Sequence, residues 1–219
     1  MKTRIITIDG PSGTGKSTIA REVAKELGFD FLDTGALYRG AALAIDEAGA
    51  DFADGRACAA VVKAVRLELN AGLLTLDGRD ISAAIRENRM SELSSKAAVH
   101  AEVRAELLEL QRDFGRKHDT VAEGRDTGSV IFPQADLKLY LDASSSERAR
   151  RRQLELAAKG VEISVEQIKR EIEERDERDS NRKTSPLCIP EGAIVVDTTH
   201  LTLAQVRGEV LRLAKERLA

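Results

Sequence analysis

The run Gly10 to Ser17, GPSGTGKS, restricts the fold of this chain more than any other part of the sequence. It follows the apolar, β-branched run Arg4 to Asp9 and leads into the amphipathic stretch Thr18 to Leu27. The pattern G-x-x-x-x-G-K-[ST] between a strand and a helix is typical of a loop whose backbone amides bind phosphate. An ordinary glycine-rich turn is the alternative, but the spacing of the lysine and the hydroxyl favours a phosphate loop.

The loop residues have different expected tasks. We expect Lys16 to reach the β- and γ-phosphates of a nucleotide, and Ser17 to place its hydroxyl on Mg²⁺. The residues predicted to hold the nucleotide phosphates are Gly10, Pro11, Ser12, Gly13, Thr14, Gly15, Lys16, Ser17 and Thr18.

Composition limits the classes of partner. The chain has 219 residues, 42% of them hydrophobic, which suits one domain with insertions. Its net charge of -3, from 34 basic and 37 acidic residues, offers no bulk attraction to nucleic acid or to an anionic membrane surface. We therefore expect neither as a partner, and phosphate binding must come from locally placed arginines.

The cysteines and the apolar runs indicate the compartment. Cys58 and Cys188 are far apart, and the three histidines are scattered, so neither a disulfide framework nor a zinc site is suggested. No cationic-apolar signal segment opens the sequence, and no apolar run approaches the roughly 18 residues of a membrane span. We expect a cytoplasmic protein.

Short apolar runs alternate with longer amphipathic stretches, which predicts an α/β fold: a five-stranded parallel sheet flanked by helices. The predicted strands are Arg4 to Asp9, Phe29 to Asp33, Thr120 to Glu123, Leu137 to Asp142 and Ala193 to Asp197. The predicted helices cover about 16–27, 36–48, 91–117, 145–158, 164–182 and 202–217. Ligands of such sheets bind at the carboxyl ends of the strands, where Asp33, Glu123, Asp142 and Asp197 would lie.

Two segments interrupt this alternation. Between about 50 and 90, the runs Val65 to Leu69 and Leu73 to Asp77 flank Asn70 to Gly72, and Asp77-Gly78 offers a second turn, so we expect a small antiparallel insertion. Residues 144–182 form a charged helix pair joined at Lys159-Gly160. Its eight arginines predict a mobile lid over the phosphates rather than a hairpin with a core. The core of the single domain would then comprise about 1–48, 91–143 and 183–219.

The lid arginines have two interpretations. Arg148 to Arg152 holds four arginines, and Arg175, Asp179 and Arg182 share one face of a later helix. They could form ordinary i,i+4 ion pairs, each worth some tenths of a kcal/mol. The phosphate loop in the same chain favours convergence on an anion, because phosphoryl transfer depends on neutralising the charge of the transferred group.

Two further segments follow predicted strands. Leu32 to Arg39, LDTGALYR, places Thr34, Tyr38 and Arg39 at a helix start, where a hydroxyl and an arginine suit a second phosphate group. The alternative is Thr34 as an N-cap, with Tyr38 packed and Arg39 solvated. Glu123 to Asp126, EGRD, follows the third strand in the same way, and a turn with a local ion pair is its alternative.

Six features in order carry a family resemblance. They are I-D-G-P-S-G-x-G-K at the start, L-D-T-G-A-L-Y-R, the insertion after residue 50, G-R-D-x-G-S-V-I-F-P at Gly124 to Pro133, L-D-A-S-S-x-E-R-A at Leu141 to Ala149, and E-R-D-x-R-D-x-N-R at Glu174 to Arg182. The chain resembles the bacterial cytidylate kinases, nucleoside-monophosphate kinases that phosphorylate CMP and dCMP. The small departures are Glu123, where Asp is common, and Ser17, where Gly also occurs.

The resemblance implies transfer of a phosphoryl group from ATP, with Mg²⁺, to CMP or dCMP. It implies a CMP site lined by Thr34, Tyr38, Arg39, Ser95, Arg104, Arg125, Asp126, Arg175, Asp179 and Arg182. In the family pattern Arg39, Arg125, Arg175 and Arg182 hold the acceptor phosphate, Asp179 meets the sugar, and Ser95, Arg104 and Asp126 read the base. We expect a monomer in which the catalytic groups are Lys16, Arg125, Arg148, Arg151, Arg175 and Arg182.

One geometric difficulty accompanies this assignment. Ser95 and Arg104 lie nine residues apart in the predicted helix 91–117, which puts them on opposite faces if that helix is straight. Either the helix breaks between them, near His100, or Ser95 approaches from a preceding loop.

Two other functions remain as alternatives. A related small-molecule kinase acting on AMP, UMP or a non-nucleotide acid would share the loop and the lid, so only the acceptor-site residues separate it. A GTP-dependent switch is disfavoured, because no N-K-x-D motif occurs and the one D-x-x-G match, Asp46 to Gly49, lies in a predicted helix.

Overall fold

The structure is a computed structural model that describes residues 2–70, 73–158 and 160–218. In chain order its elements are β1 (Ile5–Asp9), α1 (Lys16–Leu27), β2 (Asp30–Asp33), α2 (Thr34–Glu47), α3 (Gly55–Ala64), β3 (Leu67–Asn70), β4 (Leu73–Leu76), β5 (Arg79–Asp80), α4 (Asn88–Ala97), α5 (Ala101–Lys117), β6 (Thr120–Gly124), β7 (Leu137–Asp142), α6 (Ser145–Ala157), α7 (Val165–Asn181), β8 (Ile194–Asp197) and α8 (Leu203–Leu218). A 3-10 turn covers Ala84–Arg86, and a single π-helical turn covers Thr127–Ile131.

The central sheet confirms the predicted fold class. Its five strands are all parallel, in the order β2-β6-β1-β7-β8, so the strand carrying the phosphate loop lies in the middle. Each predicted core strand is present to within one residue at either end. The registers pair Asp33 with Glu123 and Asp142 with Asp197, which brings these carboxylates together at the carboxyl edge.

Apolar side chains fill both faces of the sheet. On one face, Ile6, Ile8 and Leu139 pack with α1 and α8. On the other face, Leu32 and Ala122 pack with α2, α5 and the strands of the insertion. Because both faces are covered, the strands read as nearly continuous apolar runs, as in other parallel sheets.

The insertion contains the predicted antiparallel sheet, in the order β3-β4-β5. Asp77 and Gly78 both have positive φ, 51° and 81°, as the tight turn between β4 and β5 requires. The predicted Asn70 to Gly72 turn lies outside the described residues, which omit 71 and 72. The insertion also contains α3, which the sequence interpretation missed, although the Asp54 carboxylate caps its first amides.

The prediction of one helix over 91–117 is wrong. The chain forms α4 and α5, which are separated at Ala98 to His100. His100 has an extended backbone, and its ring Nε2 lies 2.8 Å from the Phe52 carbonyl oxygen of the insertion. The contact between these distant segments accounts for the break, since no glycine or proline is present there.

The lid consists of α6 and α7. These helices pack on each other through Ala149, Leu156, Ile168 and Ile172, so the expectation that this segment holds no core of its own is wrong. The charged residues lie around a narrow apolar stripe whose i,i+4 and i,i+7 spacing is visible in the sequence. Lys159, part of the predicted joint, lies outside the described residues. No described helix combines the length and apolar character that crossing a bilayer requires.

Candidate active site

The phosphate loop connects the end of β1 to the start of α1. Gly10 has a φ of +143°, and a Cβ atom there would lie 2.0 Å from the Leu141 carbonyl oxygen. A side chain at this position would therefore clash with β7. Helix α1 begins at Lys16, so its first free amides open toward the loop. Thr18 lies exposed in the first turn of the helix.

Lys16 is almost fully buried under the loop. Its Nζ donates to the Pro11 carbonyl oxygen at 2.6 Å and to Thr14 Oγ1 at 3.3 Å. Burial and the nearby positive charge of Arg125 lower the pKa of Lys16 to about 7. A phosphate group beside this ammonium would favour its charged form.

Ser17 faces a carboxylate. Its Oγ donates to Glu123 Oε1 at 2.7 Å, from the first turn of α1 to the end of β6. Burial and the neighbouring charge of Asp33 raise the pKa of Glu123. The serine hydroxyl and one carboxylate thus lie together beside the phosphate loop.

The start of α2 lies next to this pair. The Asp33 carboxylate caps the helix by accepting from the Ala36 amide at 2.7 Å, so Thr34 is not the N-cap. Thr34 Oγ1 instead donates to the Glu123 carbonyl oxygen at 2.8 Å. Tyr38 is buried, and Arg39 pairs with Asp33 at 3.3 Å.

Three of the predicted acceptor-site arginines converge on Asp179 of α7. Arg125 Nε donates to Asp179 Oδ2 at 3.2 Å, whereas the nearest nitrogens of Arg175 and Arg182 lie 3.9 Å from this carboxylate. Burial and the charge of Arg125 lower the pKa of Arg175 to about 10. Positive charge therefore exceeds negative charge at this point of the site.

A second buried carboxylate, Asp126, completes the cluster. It forms a short hydrogen bond with Arg104 and lies 3.7 Å from Arg182 Nη2. Arg104 also stacks over the Tyr38 ring at 5.1 Å and reaches back to the Ala98 carbonyl oxygen at the end of α4.

The helix break therefore resolves the difficulty with Ser95. Ser95 is buried on α4, one turn before Ala98, and Arg104 on α5 reaches that same end of α4. Of the two options left open by the sequence, the broken helix is the one observed.

The arginines of this cluster hold unused donors. Among the described residues, the buried N–H groups without a hydrogen-bond partner include Nε of Arg104, Nε of Arg175 and Nη2 of Arg182. Buried donors in proteins almost always have partners, so this arrangement suits a polar or anionic ligand.

The two lid arginines singled out from the sequence lie in different places. Arg148 donates to the Ser12 carbonyl oxygen at 3.0 Å and pairs with Asp176, so it contacts the phosphate loop. Arg151 turns away from the loop, and its Nη2 donates to the Thr198 carbonyl oxygen at 2.6 Å. Catalytic roles for both arginines stay predictions.

Several contacts of the site were missed. Asp176 accepts from the Ser12 amide of the phosphate loop at 3.3 Å. Arg175 Nη1 donates to Ser91 Oγ at 2.6 Å, and Arg178 Nη1 donates to Ser95 Oγ at 3.0 Å. Asp176 and Arg178 belong to the E-R-D-x-R-D run, but nothing in the sequence indicates which helix they meet.

Comparison with known proteins supports one family. The cytidylate kinase family model matches residues 6–216. A protein of Nitrosomonas eutropha named cytidylate kinase is 46% identical over 207 residues, 94% of this chain and 92% of that protein. A cytidylate kinase of Saccharophagus degradans is 44% identical over 218 residues, covering 97% of each chain.

A solved structure supports the fold alone. An uncharacterized protein from Eubacterium ventriosum superposes with a TM-score of 0.53 and 9% sequence identity, covering 98% of this chain and 99% of that one. The family assignment rests instead on the sequence matches, which extend over nearly the whole length of the chain. The chain belongs to the cytidylate kinase family.

Proposed function

We propose that this protein transfers the γ-phosphoryl group of ATP to CMP or dCMP, giving ADP and CDP or dCDP. The observation that carries the proposal is the cluster of buried arginines with unused N–H donors around Asp126 and Asp179, next to a phosphate loop. Such a cluster suits the phosphate of a second nucleotide.

The acceptor side needs no general base. The oxygen of a nucleoside monophosphate that attacks is already anionic at neutral pH, so its repulsion from the donor is the main barrier to approach. Arg125, Arg175 and Arg182 supply positive charge on the acceptor side, and Lys16 supplies it on the donor side. Fixed charges of this kind contribute by positioning and by electrostatic stabilisation.

The pair of Asp126 and Arg104 suits cytosine rather than uracil. Cytosine presents an N4 amino donor beside the N3 and O2 acceptors, which match a carboxylate and an arginine respectively. Uracil would place its O4 acceptor against the Asp126 carboxylate. A site that leaves buried polar groups unpaired discriminates strongly against such a ligand.

The lid contacts suit a closed reaction site. Arg148 and Asp176 both contact Ser12, which ties α6 and α7 to the phosphate loop. Closure of this kind excludes water and so suppresses hydrolysis of ATP.

We propose Mg²⁺ as the metal, held by Ser17 and by Glu123, directly or through water. The described residues contain no group of three or more His, Cys, Asp or Glu side chains that could hold an ion alone. Mg²⁺ suits such a sparse site, because it commonly takes only one or two protein ligands and completes its shell with phosphate oxygens and water. When bound, it would neutralise charge on the phosphates of the donor.

Replacing Ser17 with alanine should raise the Mg²⁺ concentration needed for half-maximal rate by about tenfold, because one hydroxyl ligand is lost. The measurement is the initial rate with CMP over a series of free Mg²⁺ concentrations. Ser17→Thr, which keeps a hydroxyl, is the matched control and should behave as wild type. An unchanged Mg²⁺ requirement in Ser17→Ala would remove the serine from the metal site.

Product analysis tests the proposed function. The protein is incubated with ATP, Mg²⁺ and CMP, and the nucleotides are separated by anion-exchange chromatography. We expect ADP and CDP in equal amounts. ADP with free inorganic phosphate and no CDP would refute transfer to CMP.

A further inference from the structure

The residue that faces cytosine in the proposed function stands at the start of a short turn. The backbone carbonyl of Asp126 accepts from the Val130 amide at 2.9 Å and from the Ile131 amide at 3.2 Å, which closes the π-helical turn Thr127–Ile131. The direction of the Asp126 carboxylate therefore depends on how this turn is held.

A buried carboxylate holds the amino end of the turn. Asp9, at the end of β1, accepts from the Thr127 amide at 2.8 Å, from Thr127 Oγ1 at 2.7 Å and from the Gly128 amide at 2.7 Å. The side chain of Asp9 is fully buried, so water does not compete for these three hydrogen bonds. The turn is thereby fastened to the strand that leads into the phosphate loop.

An arginine holds the carboxyl end of the same turn. Arg112 of α5 donates from Nη2 to the Val130 carbonyl oxygen at 3.1 Å and from Nε to the Ile131 carbonyl oxygen at 3.3 Å. Asp9 thus accepts hydrogen bonds at the amino end of the turn and Arg112 donates them at its carboxyl end, so side chains of two neighbouring elements hold both ends.

Helix α5 connects this arginine to the base-facing pair. Arg104 lies eight residues before Arg112 on α5, about two helical turns. Its guanidinium contacts the Asp126 carboxylate, while Arg112 contacts the backbone that carries that carboxylate. One rigid helix thus fixes Arg104 and, through the turn, the position of Asp126 relative to it.

We infer that Arg112 is a positioning residue for base selection: together with Asp9 it holds the turn in which Asp126 can face the N4 amino group of cytosine while Arg104 faces N3 or O2. This inference rests on the proposed function. Without Arg112 two backbone carbonyls lose their donor, the turn loosens, and the carboxylate no longer keeps a fixed distance from Arg104. Misplacement of a recognition group by a fraction of an ångström weakens discrimination between close analogues.

The test compares wild type and Arg112→Met for kcat and KM with CMP and with UMP. We expect the ratio of kcat/KM for CMP to that for UMP to fall about tenfold, while KM for ATP stays unchanged. Arg112→Lys, which can still donate to a carbonyl, should recover part of the ratio. Arg116→Met is the matched control, since Arg116 lies one turn later on α5 and its ion-pair partners are Asp113 and Glu109.

Thr127→Val tests the turn from its other end. It removes the hydroxyl bond to Asp9 and keeps both amide bonds. The ratio of kcat/KM for CMP to that for UMP should therefore also fall in this variant, but by less than in Arg112→Met. Because the two variants act at opposite ends, a variant that fails to fold leaves the other to decide.

The possible results distinguish failure of the Arg112 inference from failure of the proposed kinase function. The inference is overturned if folded Arg112→Met keeps the wild-type ratio of kcat/KM for CMP to that for UMP. This holds even if both rates fall equally, since an equal loss indicates a purely structural role. A wild-type protein without CMP turnover would contradict the proposed function and the inference with it.

Discussion

Lys16→Ala should lower kcat by about a hundredfold to a thousandfold, the usual cost of removing a group that stabilises charge in the transition state. Lys16 is the only side chain of the phosphate loop with a positive charge. The hydrogen bonds of its Nζ go to the loop itself, at the Pro11 carbonyl oxygen and Thr14 Oγ1. The measurement is the steady-state rate with ATP and CMP, alongside a thermal unfolding curve.

Lys25→Ala is the matched control for this variant. Lys25 lies exposed in the last turn of the same helix, so its removal tests any general effect of losing a lysine from α1. We expect a wild-type rate from the control. A folded Lys16→Ala protein with a normal rate would contradict the role given to Lys16.

The lowered pKa of Lys16 predicts that protons are taken up when MgATP binds. With a pKa of about 7, Lys16 is mainly neutral at pH 8, whereas a bound triphosphate favours the charged ammonium. Binding of MgATP at pH 8 should therefore take up protons. Calorimetry in buffers of different ionisation enthalpy measures this uptake, and it should be absent in Lys16→Ala.

Asp126→Asn should lower the preference for CMP over UMP by about a hundredfold, because discrimination through buried hydrogen bonds is strong. The carboxamide keeps the size of the side chain, but its N–H₂ group can donate to O4 of uracil, which the carboxylate cannot do. The measurement is the ratio of kcat/KM for the two nucleotides. An unchanged ratio would rule out Asp126 as a base-reading residue.

The same variant should also be less stable. Arg104 and Arg182 are buried beside Asp126, and loss of the negative charge leaves them poorly compensated. Breaking a buried pair in this way costs about 3 kcal/mol of unfolding free energy. Urea denaturation measures this cost, and Asp113→Asn, an exposed change on α5, should show almost none.

The five core strands were predictable because strands buried on both faces leave apolar runs that glycines and turns delimit. Ile5–Asp9 and Leu137–Asp142 are examples, and both appear close to the predicted bounds. The carboxyl edge followed from the same pattern, since parallel strands end on one side.

Tertiary contacts decide what the sequence could not show. The break before α5 depends on His100 meeting Phe52 of the insertion, and Gly55 lies against the same ring, where a Cβ would come within 2.7 Å of Nδ1. Neither contact is visible in the local pattern, which reads as a continuous helix. The short α3 was missed although its signal was present, because Cys58, Ala59 and Val62 lie at helical spacing behind Asp54 as N-cap.

In the site, too, the sequence indicated several of the residues but not the contacts that they make. The motifs pointed to Arg125, Arg175 and Arg182, which the structure brings together around Asp179, whereas Arg104 was named only through the family resemblance. The pairing of the lid arginines was not predictable: Arg148 meets Ser12 whereas Arg151 meets Thr198, although both lie in one RARRR run. The contacts of Arg112 with the Val130 and Ile131 carbonyl oxygens were also hidden, because a helix-surface arginine gives no sign that it binds a neighbouring turn.

Selectivity among acceptor nucleotides is the sharpest test of transfer from ATP to CMP. ADP release is followed by coupling to NADH oxidation, with ATP, Mg²⁺ and in turn CMP, dCMP, UMP, AMP or GMP. We expect strong turnover with CMP and dCMP and little with the other three nucleotides. Preferred turnover with a different nucleotide would contradict the base-reading site, and no turnover with any of the five would contradict the proposed reaction.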